Sequence, residues 1–600
     1  MSDAVKTYAS RDEIPDEYKW DLSSLFASDE EFSSALKAAE SLVGEYASWE
    51  GRACSTGEDL LAYLRFDDDA TLALERLACY AGRRADEDAR VSRYQDMQAQ
   101  VTSLLTRVES ASAWFSPAIL ALPDERLDGW YASVDGLALY KLALDRVRAL
   151  RDHTLAPEEE ALLAQAGEMA AQPGLAFTML NNADLTFPDA TDSAGEKHPV
   201  THGSFVALER SGDRALRESA YHSVYGTYGR VRNTSAALLA AQMRQLAFFS
   251  RARHYASSLE ASLAPTEVPV EVYQSLIASV HRNFEPMHRY LDLRRRVLGL
   301  DRLRYWDIYV PIVEAPEESY TFEQAGELIL EALAPLGEEY VGVVRHALGD
   351  RWIDVFETPG KMSGAYSADG HGMKPFILLN FQGELDDVFT LAHEMGHSMQ
   401  TWLSNKAQPG RYAEYPMFVA EVASTTNECL LLRYLIEHSP KERRAYLVNH
   451  FCEQFRTTLY RQTMFAEFER DANEACAAGE GVGAEALSER YRALNDAYYG
   501  PAIESDDEIA LEWARIPHFY YDYYVYVYAT SFAAAVALSD RILREGKPAV
   551  DDYLGFLSGG CSKTPIELLR GAGVDMASGD VVDAALAQFS KLVDELEGLL

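Results

Sequence analysis

Positive charge is scarce in this chain: 55 lysines and arginines stand against 94 aspartates and glutamates, a formal charge of −39. That deficit excludes nucleic acid as a natural partner, because phosphate contacts need clustered lysine and arginine. Lysine is scarcer still, at 12 of the 55 basic residues, a skew that indicates no chemistry. Long apolar runs are missing too. The longest, around Phe532 to Leu538, falls far short of the ~20 residues a membrane span requires, and residues 1–30 lack the apolar core of a secretory signal. Cysteine is sparse and scattered. Cys54, Cys79, Cys429, Cys452, Cys476 and Cys561 show no C-x-x-C spacing, so they read as buried free thiols and not as a disulfide framework or a second metal site. No internal repeat or low-complexity tract is present. These absences predict a soluble cytoplasmic protein with no membrane association. Its 48% hydrophobic residues are ample for a large core.

The chemistry is concentrated in a few segments. His393-Glu394-Met395-Gly396-His397 spell H-E-x-x-H inside a helix-forming run. On an α-helix, positions i and i+4 lie one above the other on one face. Two imidazoles at that spacing can share one Zn²⁺ at ~2.0–2.1 Å each. Glu394 projects about 100° round the axis from His393, placed to take a proton from a water at the metal rather than to bind the metal.

A catalytic zinc site needs a third protein ligand and one open position. The run Phe418-Val419-Ala420-Glu421-Val422-Ala423-Ser424-Thr425-Thr426-Asn427-Glu428 starts just after Pro416, which suits the first turn of a helix, and the helical pattern continues to His438-Ser439-Pro440. Glu421 and Glu428 are seven apart, on a face that is otherwise apolar. A carboxylate there must be paired or metal-bound. Glu421 reads as the third ligand, with a salt bridge to an arginine as the alternative. Glu428 reads as the carboxylate that orients a ligand imidazole.

H-E-M-G-H-S followed by F-V-A-E-V-A-S-T-T-N-E resembles the thimet-oligopeptidase-like zinc metallopeptidases, and within them the bacterial oligoendopeptidase F branch. The resemblance extends to Arg11-Asp12-Glu13-Ile14-Pro15 with Tyr18-Lys19-Trp20-Asp21-Leu22, to Thr201-His202-Gly203-Ser204-Phe205, to Gly360-Lys361-Met362-Ser363-Gly364-Ala365-Tyr366-Ser367, and to Pro375-Phe376-Ile377-Leu378-Leu379-Asn380. These points span nearly the whole chain. The resemblance implies that His393, His397 and Glu421 hold one Zn²⁺ per chain and that Glu394 is the catalytic base. It also implies a mostly α, two-lobed helical shell with a deep central channel, acting on oligopeptides in preference to folded proteins.

Apolar residues at three- to four-residue spacing predict helices over 29–49, 57–83, 85–115, 133–150, 157–171, 214–250, 268–299 and 322–347. The turn-rich piece from Leu185 to Val200 predicts a β-hairpin with its loop at Ser193-Ala194-Gly195. A boundary near residue 200 is expected, with an N-terminal helical lobe over 1–200 and a catalytic lobe over 201–600. Gly360, Gly364, Gly370 and Gly372 punctuate a loop leading into Pro375–Phe381, which predicts a strand just before the H-E-x-x-H helix. That strand either pairs with an extended substrate backbone or is an ordinary core strand. Asp386 or Asp387 is expected to cap the helix. His371 reads as a loop residue.

The stretch from His518 to Tyr528 carries six tyrosines in its last nine residues. Read as a helix, it puts His518, Tyr521, Tyr524 and Tyr528 on roughly one stripe. That stripe is either an aromatic core seam or a source of hydrogen-bond donors to the oxyanion of a tetrahedral intermediate. It resembles the family's His-and-Tyr segment, in which a histidine and several tyrosines face the zinc, so His518, Tyr521 and Tyr528 are the candidates, with Tyr524 in reserve. The thimet branch has a glycine-rich loop at this point, whereas this stretch has no glycine and extra tyrosines.

The expected activity is zinc-dependent endopeptidase action on short unstructured oligopeptides. A carboxypeptidase or dipeptidase on the same scaffold is the alternative; it would need a cation for the free carboxylate. A catalytically inactive peptide-binding protein would lack the base or a ligand, and a structural zinc site would need a fourth protein ligand. Nothing in the sequence specifies an oligomeric state.

Overall fold

The fold was read from a computed structural model, which describes residues 8–316 and 318–600. About 71% of the residues are helical and 2% lie in strands, so packed helices carry the cores, as the mostly α reading requires. No helix among the described residues is long and apolar enough to cross a membrane.

The chain divides into two compact units. The first holds the described residues of Met1–Asp152 with Glu318–Leu431 and Leu538–Thr564; the second holds those of His153–Glu317 with Leu432–Ala537 and Pro565–Leu600. This division does not fall at residue 200. Turn residues cluster at 185–200 because a short hairpin lies there, inside the second unit. β1 (Ala190–Thr191) pairs antiparallel with β2 (Lys197–His198), and Gly195 turns between them at φ 88°. The hairpin is fixed to the 39-residue helix Arg214–Ala252, where Ser219 Oγ accepts from the Thr191 N–H at 2.8 Å.

Helix positions follow the apolar periodicity, while helix ends follow local backbone chemistry. The expected 322–347 helix is two, Phe322–Ala332 and Glu338–Gly349. Ala334–Leu336, with Pro335 at its second position, forms a short 3-10 turn, and Gly337 leaves it at φ 89°, a conformation that favours glycine. The expected 268–299 helix breaks at Asn283 into Val270–Arg282 and Phe284–Val297. The 57–83 helix runs on to Glu87, capped at its start by Thr56, and its neighbour begins only at Ser92.

In the first unit, the helices Gly57–Glu87 and Ser92–Ser112 build a core with Trp20, Leu64, Tyr80 and Val101, and Phe376 and Leu378 enter that same core. Those two residues belong to β5 (Phe376–Leu378), the middle strand of a three-stranded sheet. It runs parallel to β3 (Ile353–Asp354) and antiparallel to β4 (Tyr366–Ala368). Lys361, wholly buried, ties the intervening loop to this sheet. Its Nζ donates to the carbonyls of Asp354, Phe356 and Leu379 at 3.1, 2.7 and 2.5 Å and pairs with Asp354 Oδ1 at 2.8 Å. Arg11 reaches the other Asp354 oxygen at 2.5 Å.

Burial opposes the Asp354 charge, but Lys361 and Arg11 outweigh it and hold the carboxyl below its usual range. Its contribution to stability is therefore present in full above the unfolded pKa of 3.8 and is lost as pH falls through the lower folded value. Lys361→Met leaves a buried carboxylate with one partner fewer, and we expect a loss of about 3–5 kcal/mol. Denaturant titration checks this. Lys361→Met with Asp354→Asn should lose clearly less than Lys361→Met alone; equal losses would show that packing, not charge, is what Lys361 contributes.

Candidate metal centre

The H-E-x-x-H residues lie on the helix Leu385–Ala407. Its N-cap is Glu384, not Asp386 or Asp387. Asp387 acts from the first turn instead, accepting from the N–H groups of Gln382 and Glu384 at 2.9 Å each, so the expected carboxylate is used three positions inside the cap. The second helix spans Met417–His438, starting after Pro416 and ending at the residue the pattern gives.

The two helices touch backbone to backbone at Gly396. A Cβ there would sit 2.5 Å from Ser424 Cα and 2.7 Å from the Ala423 carbonyl oxygen. Mid-helix glycine costs roughly 1 kcal/mol against alanine, and this contact is what requires it. A buried side-chain tie reinforces the crossing. Asn427 Nδ2 donates to the Ala392 carbonyl at 3.1 Å, and Tyr340 donates to Asn427 Oδ1 at 3.0 Å.

This crossing brings His393, His397 and Glu421 together. One donor atom from each lies within 4.8 Å of the others, a group able to hold a metal ion. Glu421 Oε2 is 3.3 Å from His393 Nε2 and 3.7 Å from His397 Nε2, and the two Nε2 atoms are 3.2 Å apart. The far nitrogens are occupied elsewhere. Glu428 Oε1 stands 2.6 Å from His393 Nδ1, and His397 bonds the Ala420 carbonyl. Ser424 Oγ donates to Glu421 Oε2 at 3.0 Å.

The charges fit a dication. Burial opposes a proton on His393, but Glu421 and Glu428 override it and raise the ring to about 10. Burial and the neighbouring His393 push His397 down to about 4. Against its own burial, Glu421 is held at about 2 by the two imidazoles and Ser424. Two carboxylates thus retain a proton at a spot where a metal ion would displace it.

Glu394 is buried beside this group, and burial raises its carboxyl to about 7. Its Oε2 has no hydrogen-bond partner, while the Ser367 N–H donates to the carboxylate. Ser367 lies on β4, and Ser367 Oγ is 2.8 Å from Ser398 Oγ. The strand against the ligand helix with an unpaired edge is therefore β4. The expected strand, β5, is paired on both sides and buried, the core alternative. Sequence reading missed β4 because three residues between glycines leave too short a pattern. Gly396 was visible in the motif itself, as a glycine inside a helix.

His518, Tyr521 and Tyr528 lie in the second unit, and not on one helix. Pro517–Tyr520 is a 3-10 turn, the helix begins at Tyr526, and between them Asp522 and Tyr523 take φ of 53° and 63°. Two successive left-handed residues break the expected stripe. They are held by the buried Glu469, which accepts from the Tyr523 N–H at 2.8 Å, and by Gln242 donating to Asp522 at 2.9 Å. The turn still gathers the candidates: Tyr528 OH is 3.5 Å from His518 Nε2, and the Tyr521 ring is 5.6 Å from the His518 ring. Burial and Arg461 lower the His518 pKa.

Comparison with known proteins identifies the family. The model of peptidase family M3 matches residues 207–588, and that of oligopeptidase F matches 119–187. Oligopeptidase PepF of Bacillus subtilis is 41% identical over 98% of this chain and 88% of its own; group B oligopeptidase PepB of Streptococcus agalactiae is 36% identical over 98% of both. The crystal structure of oligoendopeptidase-F from Enterococcus faecium superposes with a TM-score of 0.74 at 34% identity, covering 95% of this chain and 99% of that one. A solved structure from Chlamydophila abortus reaches 0.93 at 33% identity over 99% of this chain and all of that one. The chain belongs to peptidase family M3, on its oligopeptidase F branch, and is a metallopeptidase.

Gly396→Ala should force the helices apart at the site. We expect metal affinity to fall at least tenfold, with a stability loss of about 1–3 kcal/mol from overpacking, measured by chelator competition and thermal melting. Affinity unchanged in a folded Gly396→Ala protein would mean the crossing does not set the donor geometry.

Proposed function

We propose that this metallopeptidase uses one Zn²⁺ held by His393, His397 and Glu421 to cut short, unstructured oligopeptides internally, with Glu394 as general acid and base. The observation that carries the reading is the buried Glu394 carboxylate with an unpartnered Oε2 beside three converging donors. Bound zinc supplies Lewis acidity toward the scissile carbonyl and the attacking water. Glu394 takes a proton from that water and returns it to the leaving amine. Burial raises its carboxyl to about 7 in the metal-free site, a direction that favours holding the proton for return to the amine. Glu428 holds the His393 ring so that Nε2 stays directed at Glu421.

The unpaired edge of β4 offers backbone groups to an extended peptide, which supports selection of unfolded chains. His518, with Tyr521 or Tyr528, is assigned to the oxyanion on the family pattern and on their grouping around one turn. Relatives named oligopeptidase and oligoendopeptidase favour internal cleavage over carboxypeptidase action. Six free cysteines are in keeping with a reducing compartment, the cytoplasm.

Glu394→Gln should abolish turnover and keep about one zinc per chain by elemental analysis; metal loss in a folded protein would reassign Glu394 as a ligand. A peptide blocked at both termini, followed by mass spectrometry, separates the modes, since an endopeptidase cuts it and a carboxypeptidase cannot. For the oxyanion, Tyr521→Phe or Tyr528→Phe should lower kcat by ~10²–10³ with little change in KM. Wild-type kcat in both would move that role to other donors.

A further inference from the structure

The second unit contains a cavity that this chemistry does not use. Glu209, Arg456, Arg461, Glu512, Arg515 and Tyr309 are among its walls, and about 20 Å³ lies open to the centre of a water-sized sphere. That is room for one water or one ion of similar size.

The charges around it do not balance. Glu512 accepts from Arg461 and Tyr491 at 2.5 Å each and from Arg515 at 3.4 Å. Glu453 is shared between Arg456 at 2.5 Å and Arg294 at 2.9 Å. Burial opposes both charges, but the arginines keep Glu453 at about 2 and Glu512 below its ordinary range. Glu209, only 2% exposed, is pushed by burial up to about 8 against the pull of Arg515, Arg461 and Arg456. Three guanidiniums line the cavity and Arg294 shares Glu453 with one of them, so four arginines stand against three carboxylates, Glu209, Glu453 and Glu512, and the cations are in excess whatever the state of Glu209. Arg456 Nη1 and Arg515 Nε are buried with no acceptor.

A buried cation without a counter-charge is costly. A water molecule would supply an acceptor but no charge. The guanidiniums are also held in place: Arg456 lies over the Tyr309 ring at 4.9 Å and Arg461 over the Phe465 ring at 4.4 Å, so the donors are set before anything binds.

We propose that this cavity binds one small monovalent inorganic anion of chloride size, held by Arg456, Arg461 and Arg515. Sulfate and phosphate are larger than a water molecule and carry more than one charge. A peptide carboxylate shares the charge but brings an attached chain into a space of about one water molecule.

Bromide, which scatters anomalously, is the probe. Crystals of the intact chain grown without halide and soaked in bromide should show one anomalous peak between the three guanidiniums. In solution, replacing gluconate by chloride at fixed ionic strength should raise Tm saturably by about 2 °C or more, and Arg515→Met should remove that rise. Bromide only at the surface, or equal Tm in chloride and gluconate, overturns the proposal in favour of a water-filled cavity. A rise with acetate but not with halide overturns it in favour of a carboxylate. If Arg515→Met does not fold, the bromide map and the wild-type titration decide.

Discussion

The backbone contact between Gly396 and Ser424 is the constraint on which the metal centre depends. Gly396 stands between His393 and His397 on one helix; Ser424 stands between Glu421 and Glu428 on the other. One close approach therefore fixes the register of both helices at the point where all four side chains project. A slip of one residue would rotate a donor by about 100° and carry it away from the group. The Asn427–Ala392 hydrogen bond, 35 residues apart in sequence, guards against that slip.

The two units hold buried charge in different ways. In the first, Asp354 is paired with Lys361 and Arg11, Arg11 also pairs with Glu87, and carbonyls accept from Lys361. In the second, arginines outnumber ionised carboxylates around a small cavity. Neither arrangement is needed for hydrophobic packing, since replacing a buried ion pair by apolar residues is often neutral or stabilising. The first locks a loop that leads to β4 and so to Glu394. The second is organised around something the side chains themselves do not supply.

What could be read in advance follows from the range of the interactions involved. His393, Glu394 and His397 were legible because i and i+4 on a helix need no tertiary information. Glu421 and Glu428 were legible because a carboxylate on an apolar face needs a partner. The hairpin at 190–198 announced itself by its turn residues. The central place of β5 was not legible, because strand neighbours are chosen by pairing partners distant in sequence. The Asp522–Tyr523 turn was hidden for a different reason. Asp522 alone is a turn former and sits among tyrosines, and the left-handed conformation is held by Glu469 and Gln242 from other elements. The break between units at Asp152 leaves no mark in composition at all.

The order in which the first unit's pieces leave the ribosome has a consequence for its assembly. Its last segment, Leu538–Thr564, is separated from Leu431 by a stretch of the other unit. That segment is tightly seated: the Cys561 N–H donates to the Tyr412 carbonyl at 2.9 Å, and Gln408 donates to the Ser558 carbonyl at 2.9 Å. At ~5–20 residues per second, the ligand helices are synthesised about 7–27 s before the segment that completes their unit. During that interval the histidines and Glu421 already exist on an unfinished scaffold, so nascent chains pass through a stage in which the donors are exposed and an ill-matched metal ion can reach them.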